Sequence, residues 1–226
     1  DVSFRETLRS CLEGRPTGDL PAHGTFLYPK KSGYGEVWRR MGESLGDSLV
    51  TNCPVEHVDL ATRRINRSWQ AETIVTTIPW TLWPDYCDLP KEILASIDSL
   101  KNASIDVDYY PETSSSKAHW VYEPDESIAY HRMLLRSNFS HGARGYWTET
   151  NTLRSMETTG MRFHNEFAYP INTLGKPDVV QEILAWGKAN GIVGLGRWGR
   201  WEHMNSDVAV AEALQLACEL SREKKA

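Results

Sequence analysis

The run Ile192-Val193-Gly194-Leu195-Gly196-Arg197-Trp198-Gly199-Arg200-Trp201, continuing through Asn205 to Ser206 and Asp207, concentrates more chemistry than any other stretch of the sequence. An apolar strand leads into a glycine pair and then a helix that opens at Ser206 and Asp207. Glycines let a backbone approach a flat or charged ligand, and a helix start offers it unpaired N–H groups. Arg197, beside that opening, carries a planar fork that matches a phosphate. The same spacing equally suits a structural use, in which Ser206 or Asp207 only caps the helix and Arg197 makes a surface pair.

A second group is His131, Arg132 and Arg136. On one strand Arg132 and Arg136 would share a face and, with Arg197, form a cationic patch for a diphosphate; the alternative is a solvated strand face. Glu149, set among Tyr146, Trp147 and Thr150, could bind sugar hydroxyls or act as a base, or be an ordinary strand residue. Near the N-terminus, Thr25 to Tyr28, the turn Lys30 to Gly35 and a following helix form an order that presents backbone N–H groups to an anion. No Ser-His-Asp ordering, HExxH, P-loop or EF-hand pattern occurs.

Several elements must position these residues. A helix is expected over Phe4 to Leu12, then a linker rich in Gly and Pro, and a second helix through Val37, Trp38, Met41 and Leu45. Short strands are expected at Ser48 to Thr51, Val55 to Asp59, Arg63 to Asn66 and Thr73 to Thr77, the last buried on both faces because it is continuously apolar or β-branched. Longer strands at Ile105 to Tyr110, Ala118 to Tyr122, Ile128 to Leu135, Gly145 to Thr150 and Arg162 to Tyr169 predict an antiparallel meander. Helices over Pro177 to Ala189 and Asp207 to Leu220 flank a short strand at Gly191 to Gly194.

With 226 residues and 40% hydrophobic content, the chain can bury a substantial core. A net charge of -5 argues against nucleic acid as a partner, and no apolar run approaches the ~20 residues that span a bilayer. Cys11, Cys53, Cys87 and Cys218 form no CxxC pair, which points to no structural zinc and to a reduced, cytoplasmic setting. The sequons at Asn66, Asn102 and Asn138 are read as chance.

The run from Tyr169-Pro170-Ile171 through Gly196-Arg197-Trp198-Gly199 to Asp207-Val208-Ala209-Val210-Ala211-Glu212-Ala213 resembles the C-terminal part of UDP-galactopyranose mutases. There a Tyr-Pro pair, a helix, a Gly-Arg-x-Gly turn and an Asp-initiated helix follow in this order. Tyr28-Pro29-Lys30-Lys31-Ser32-Gly33-Tyr34-Gly35 resembles the family's Pro-Lys-x-Gly-Tyr turn with one extra residue. Val55 and Thr76-Thr77-Ile78-Pro79 resemble flavin-domain strands shared with amine oxidases and protoporphyrinogen oxidases. Tyr130-His131-Arg132 and Asn138-Phe139-Ser140 resemble substrate-domain strands, so that the likeness covers about Phe26 to Leu220.

The resemblance implies an α+β fold, an antiparallel substrate-domain sheet joined to the C-terminal part of a Rossmann-like FAD-binding domain. Its expected divisions are a linker and short helix at 1-22, part of the FAD-binding domain at 23-83, the substrate domain at 84-170, and a return to the FAD-binding domain at 171-226. The implied activity is interconversion of the pyranose and furanose forms of a nucleotide sugar, with reduced FAD as the nucleophile and protein side chains binding and orienting. The implied substrate contacts are Arg132, Glu149, Tyr169, Arg197, His203 and Asn205; the implied cofactor contacts are Val55, Gly33, Gly196, Gly199 and Asp207. Family mutases carry tyrosine where this sequence has His203, and aspartate where it has Asn205. No N-terminal strand and helix with a Gly-x-Gly-x-x-Gly fingerprint precedes these elements and the chain opens on Asp1, so it is expected to be roughly the second half of a flavoenzyme, unable to hold FAD alone. Two other functions fit less of the pattern: an amine-oxidase or protoporphyrinogen-oxidase-like oxidoreductase, and an isolated substrate-binding domain without activity.

Overall fold

From the N-terminus, apolar residues at helical spacing form α1 (Phe4–Glu13) and α2 (Tyr34–Ser44). The computed structural model describes residues 4–14 and 26–223, so most of the expected linker, and Thr25 of the expected first strand, lie outside the described residues. Phe26 to Tyr28 form no strand; they run as a strap whose rings pack on the sheet, Phe26 lying 5.2 Å from Trp120 and 5.9 Å from Phe139. The expected strand at Ser48 to Thr51 is also absent, replaced by a 3-10 turn at Gly46–Ser48 and unpaired chain.

Three two-residue strands, β1 (Val58–Asp59), β2 (Arg64–Ile65) and β3 (Trp69–Gln70), make a small antiparallel sheet. Asn66 bridges it, accepting from the backbone N–H groups of Glu56 (2.8 Å) and His57 (3.2 Å). Next comes β4 (Ile74–Thr76), the core of the apolar run that ends at Pro79. It is buried on one face only, because Val75 is 41% exposed and β4 has a single partner strand. A 3-10 turn at Trp80–Asp85 then brings Trp80 and Trp83 into the core, and α3 (Lys91–Ser99) follows.

The alternating segments give β5 (Asn102–Tyr110), β6 (Trp120–Tyr122), β7 (Tyr130–Leu135), the four-residue α4 (Arg136–Phe139), β8 (Tyr146–Asn151) and β9 (Met161–Pro170). All pair antiparallel, in the order β6-β7-β8-β5-β9. Only β6-β7-β8 is a meander; β5 enters between β8 and β9 instead of at an edge. Composition supports this central place: Asp106 and Asp108 of β5 are buried and find partners on β9. His164 Nδ1 lies 2.8 Å from Asp106, and Arg162 holds Asp108 in a fork of 2.7 and 2.8 Å. Residues directly opposite in such a ladder share a face, so the other face carries Tyr122, Arg132, Glu149, Val107 and Phe163.

After the sheet come α5 (Lys176–Ala189), β10 (Ile192–Gly194), the short α6 (Gly196–Gly199) and α7 (Ser206–Glu223). β10 lies parallel to β4, with Ile192 opposite Ile74. The main core gathers Trp80, Trp83, Ile93, Ile97, Ile183, Ile192 and Trp201 from segments spread over most of the chain. The fold is mixed α and β with antiparallel sheets. Among the described residues, no helix is long and apolar enough to cross a membrane.

Candidate functional site

The glycine-rich run does more structural work than its spacing suggested. Gly194 and Gly199 meet backbone to backbone, and Gly199 also abuts the carbonyl of Thr76. A Cβ at either glycine would overlap these atoms, so both positions require a residue without one. Leu195 N–H donates to Thr76 O at 2.9 Å, and Trp80 Nε1 donates to Gly199 O at 2.8 Å. These contacts clamp α6 onto β4 and β10.

The chain leaves α6 through Trp201, which has φ 50 although it is not glycine. A left-handed Trp costs about 1–2 kcal/mol. Its indole is fully buried, against Trp198 at 5.0 Å, and burying so large a ring outweighs that cost. The reversal bonds Glu202 N–H to Arg197 O at 2.9 Å and carries residues 203–205 back past the Arg197 side chain. Asn205 O then accepts from Ala209 N–H at 3.1 Å, which starts α7.

Arg197 is thereby fixed. Its Nη1 donates to Ala168 O and its Nη2 to Met204 O, both at 2.9 Å, and its guanidinium lies 5.1 Å from the centre of the Tyr169 ring. Tyr169 in turn faces His203 at 5.3 Å, and its hydroxyl accepts from Arg132 at 3.3 Å. Arg132, Tyr169, Arg197, His203 and Asn205 all line one open cleft of about 930 Å³. Five of the six expected substrate contacts therefore meet in one place.

The sixth, Glu149, acts through Arg132. Its Oε2 accepts from Arg132 Nε at 2.8 Å, and the carboxylate is largely buried. The pairing depends on an irregularity in β7: opposite β8 the register shifts between Tyr130 and Arg132, leaving His131 as the extra residue. Such a bulge re-aims side chains, and here it brings His131 Nε2 to 3.8 Å from the same Glu149 oxygen. Burial lowers the His131 pKa and the Arg132 charge lowers it further, against an opposing pull from Glu149. For Arg132 burial works against the charge, but Glu149, the Tyr169 oxygen and hydrogen bonds to Tyr122 and Glu149 outweigh it, so its pKa is raised.

Arg136 is not on the strand. β7 ends at Leu135, and Arg136 opens α4 in a recess beside the cleft, so of the expected patch Arg132 and Arg197 share the cleft while Arg136 lies in the adjoining recess. The expected cofactor contacts are dispersed. Gly33 precedes α2 with φ 72 and lines the recess that holds Arg136. Gly196 has φ 68 and open space where a side chain would be, whereas Gly199 is packed. Val55 leans on the main core, and Asp207 is exposed in the first turn of α7.

The sequence reading missed Trp120, Tyr122 and Met204 as cleft residues. Tyr122 pairs directly with Arg132 across β6 and β7, and its ring lies 5.9 Å from that guanidinium. The register between those strands, once known, would have found it. All three sequon asparagines donate to backbone carbonyls: Asn66 to Pro54, Asn102 to Glu166, and Asn138 to Ser116 and Ala118.

No protein-family model matches the sequence, and no curated protein matches it. Solved structures do. A crystal structure of reduced UDP-galactopyranose mutase superposes with a TM-score of 0.72 and 16% identity over 86% of this chain and 51% of that one. A protein from Exiguobacterium sp. 255-15 assigned as a protoporphyrinogen oxidase aligns at a TM-score of 0.41 and 12% identity, covering 59% of this chain and 38% of that one, too low a score to carry an argument. This chain thus shares the fold of UDP-galactopyranose mutase while spanning about half the length of that protein.

Proposed function

We propose that this chain is the substrate-binding portion of a flavoenzyme that interconverts pyranose and furanose forms of a nucleotide sugar. The observation that carries the reading is the convergence of Arg132, Tyr169, Arg197, His203 and Asn205 on one cleft in a chain with the mutase fold. Arg197 spends two of its five guanidinium N–H groups on carbonyls and lines the cleft with the rest of its fork. Arg132 and Arg197 favour a diphosphate over an amine, which would call for carboxylates and an aromatic cage. Glu149 is a positioning residue whose carboxylate accepts from Arg132 Nε and so anchors that guanidinium at the cleft wall. His203 and Asn205 edge the same cleft and would contact the nucleotide sugar directly.

FAD fits this chain in part. Gly196 leaves open space beside its backbone, as a flat ligand requires, and Gly33 lines the recess beside the cleft. Gly199 does not fit as a direct contact, because the carbonyl of Thr76 occupies the space beside it. Val55 and Asp207 would contribute through the backbone and the helix start. Gly194 to Gly199 has the Gly-x-Gly-x-x-Gly spacing, but it opens only the four-residue α6, and Gly194 and Gly199 are packed against each other and Thr76, so the pyrophosphate of FAD would need a fingerprint supplied from outside this chain. When bound and reduced, the flavin would supply the nucleophile; the side chains here would hold the diphosphate and orient the sugar.

The test is to reduce the full-length protein with dithionite, add UDP-galactofuranose, and separate the products chromatographically. UDP-galactopyranose should form, and Arg132→Ala should abolish it. Peroxide release from an amine without isomerisation would replace the mutase reading with an oxidase one. A full-length protein that carries no flavin absorption band would exclude both.

A further inference from the structure

The recess beside the main cleft lies between the turn at Tyr28 to Gly33 and the turn at Ser140 to Ala143, and encloses about 380 Å³. Ser140 Oγ and the backbone N–H of His141 both donate to Lys30 O at 3.2 Å, which ties the two turns together. Leu134 and Phe139 line both the recess and the cleft, so the two adjoin.

Arg136 is the cation of the recess. Its guanidinium lies 5.5 Å from the centre of the Tyr109 ring and 5.6 Å from that of Trp147. Ring stacking of this kind holds the plane of the fork while leaving its edge donors unspent. Their protein acceptor is Arg144 O at 3.5 Å, the outer limit of a hydrogen bond. Among the described residues Arg136 forms no ion pair with a carboxylate, whereas Arg132 is matched by Glu149. A half-buried guanidinium on two aromatic rings, without a counter-charge, is a preformed receptor for an anion.

We infer that Arg136 is a specificity-determining residue that receives a carboxylate on the sugar, so that the substrate is a nucleotide-diphosphate uronate. This rests on the nucleotide-sugar reading of the main cleft. With the diphosphate at Arg132 and Arg197, the sugar is the remaining part of such a ligand that can bear a carboxylate, since the base is neutral. A carboxylate suits Arg136 better than a further phosphate does. One guanidinium neutralises one carboxylate in a two-bond fork, whereas a phosphate dianion would leave surplus charge among Tyr28, Phe139 and Trp147.

Calorimetric titration of the full-length protein with UDP, UDP-galactose and UDP-galacturonate tests this. UDP-galacturonate should bind about 10- to 100-fold more tightly than UDP-galactose, the range for a charge-assisted hydrogen-bonded pair. Arg136→Gln should erase that difference and leave UDP affinity unchanged; Arg136→Lys, with charge but no fork, should keep part of it. Thermal melting of both variants checks that they fold. Equal binding of the two sugars by the parent overturns the inference and leaves the nucleotide-sugar reading standing. So does an Arg136→Gln variant that melts like the parent but loses affinity for all three ligands alike. Failure of UDP itself to bind overturns the nucleotide-sugar reading, and the inference with it.

Discussion

Replacing Arg197 should remove a strut as well as a ligand contact. Its two hydrogen bonds end on Ala168, 2% exposed, and Met204, 7% exposed, so both carbonyls lie where water reaches them poorly. A hydrogen bond from a charged donor contributes about 1.5–3 kcal/mol, and stacking on Tyr169 adds about 0.5–1 kcal/mol in a partly open site. Water entering the cleft would recover part of this in Arg197→Ala, which leaves a net cost of about 2–4 kcal/mol. For a chain of this size each kcal/mol shifts Tm by about 2–4 °C, so the melt should fall by about 4–16 °C. Arg197→Lys keeps the charge but can reach only one of the two carbonyls, so it should lose about half as much. Differential scanning calorimetry of both variants, paired with UDP titration below their melting points, separates the two roles. An Arg197→Ala protein that melts within 2 °C of the parent would refute the strut argument. One that melts low but binds UDP with parental affinity would refute the ligand role alone.

Two further outcomes follow from the packing. Gly199→Ala should cost about 3 kcal/mol or more, because its methyl meets the Thr76 carbonyl and not a side chain that can move; denaturant unfolding reads this, and a change below about 1 kcal/mol would contradict the backbone contact. The second concerns Asp106, whose pKa burial by itself would raise, but hydrogen bonding and the charges of His164 and Arg162 outweigh burial and set it below the usual carboxylate value. A depressed folded-state pKa contributes stability that is complete above the unfolded value of about 3.9 and is lost as pH falls through the lower folded value. The urea midpoint of the parent should therefore exceed that of Asp106→Asn at pH 6, and the gap should shrink below about pH 4. An unchanged gap at low pH would show that the Asp106 charge does not stabilise the fold.

Much of the architecture was open to local reasoning. Apolar spacing placed α2, α5 and α7, and alternation placed β5 to β9, each within a few residues of its observed bounds. These signals are local: a face either buries or it does not, and the period of the pattern reports it. Order within the sheet is not local. Nothing in β5 by itself says that Asp106 and Asp108 await His164 and Arg162 more than fifty residues away, and that pairing moves β5 to an inner place. The bulge at His131 is equally silent, since an extra residue in a strand shows only against its partner's register.

The site divides in the same way. Residue types and spacing were enough to select Arg132 and Arg197, the resemblance to the mutases added Tyr169, His203 and Asn205, and these five meet in one cleft. What each does there was decided by the fold. Arg197 became a strut because the buried, left-handed Trp201 turns Met204 O back toward it. Glu149 became the partner of Arg132 through strand register, and Arg136 was separated from both because β7 ends one residue before it. Chemical capacity is a property of a side chain and can be read in sequence. A partner is a property of three-dimensional neighbours, set by register, strand ends and backbone reversals that many distant residues fix together.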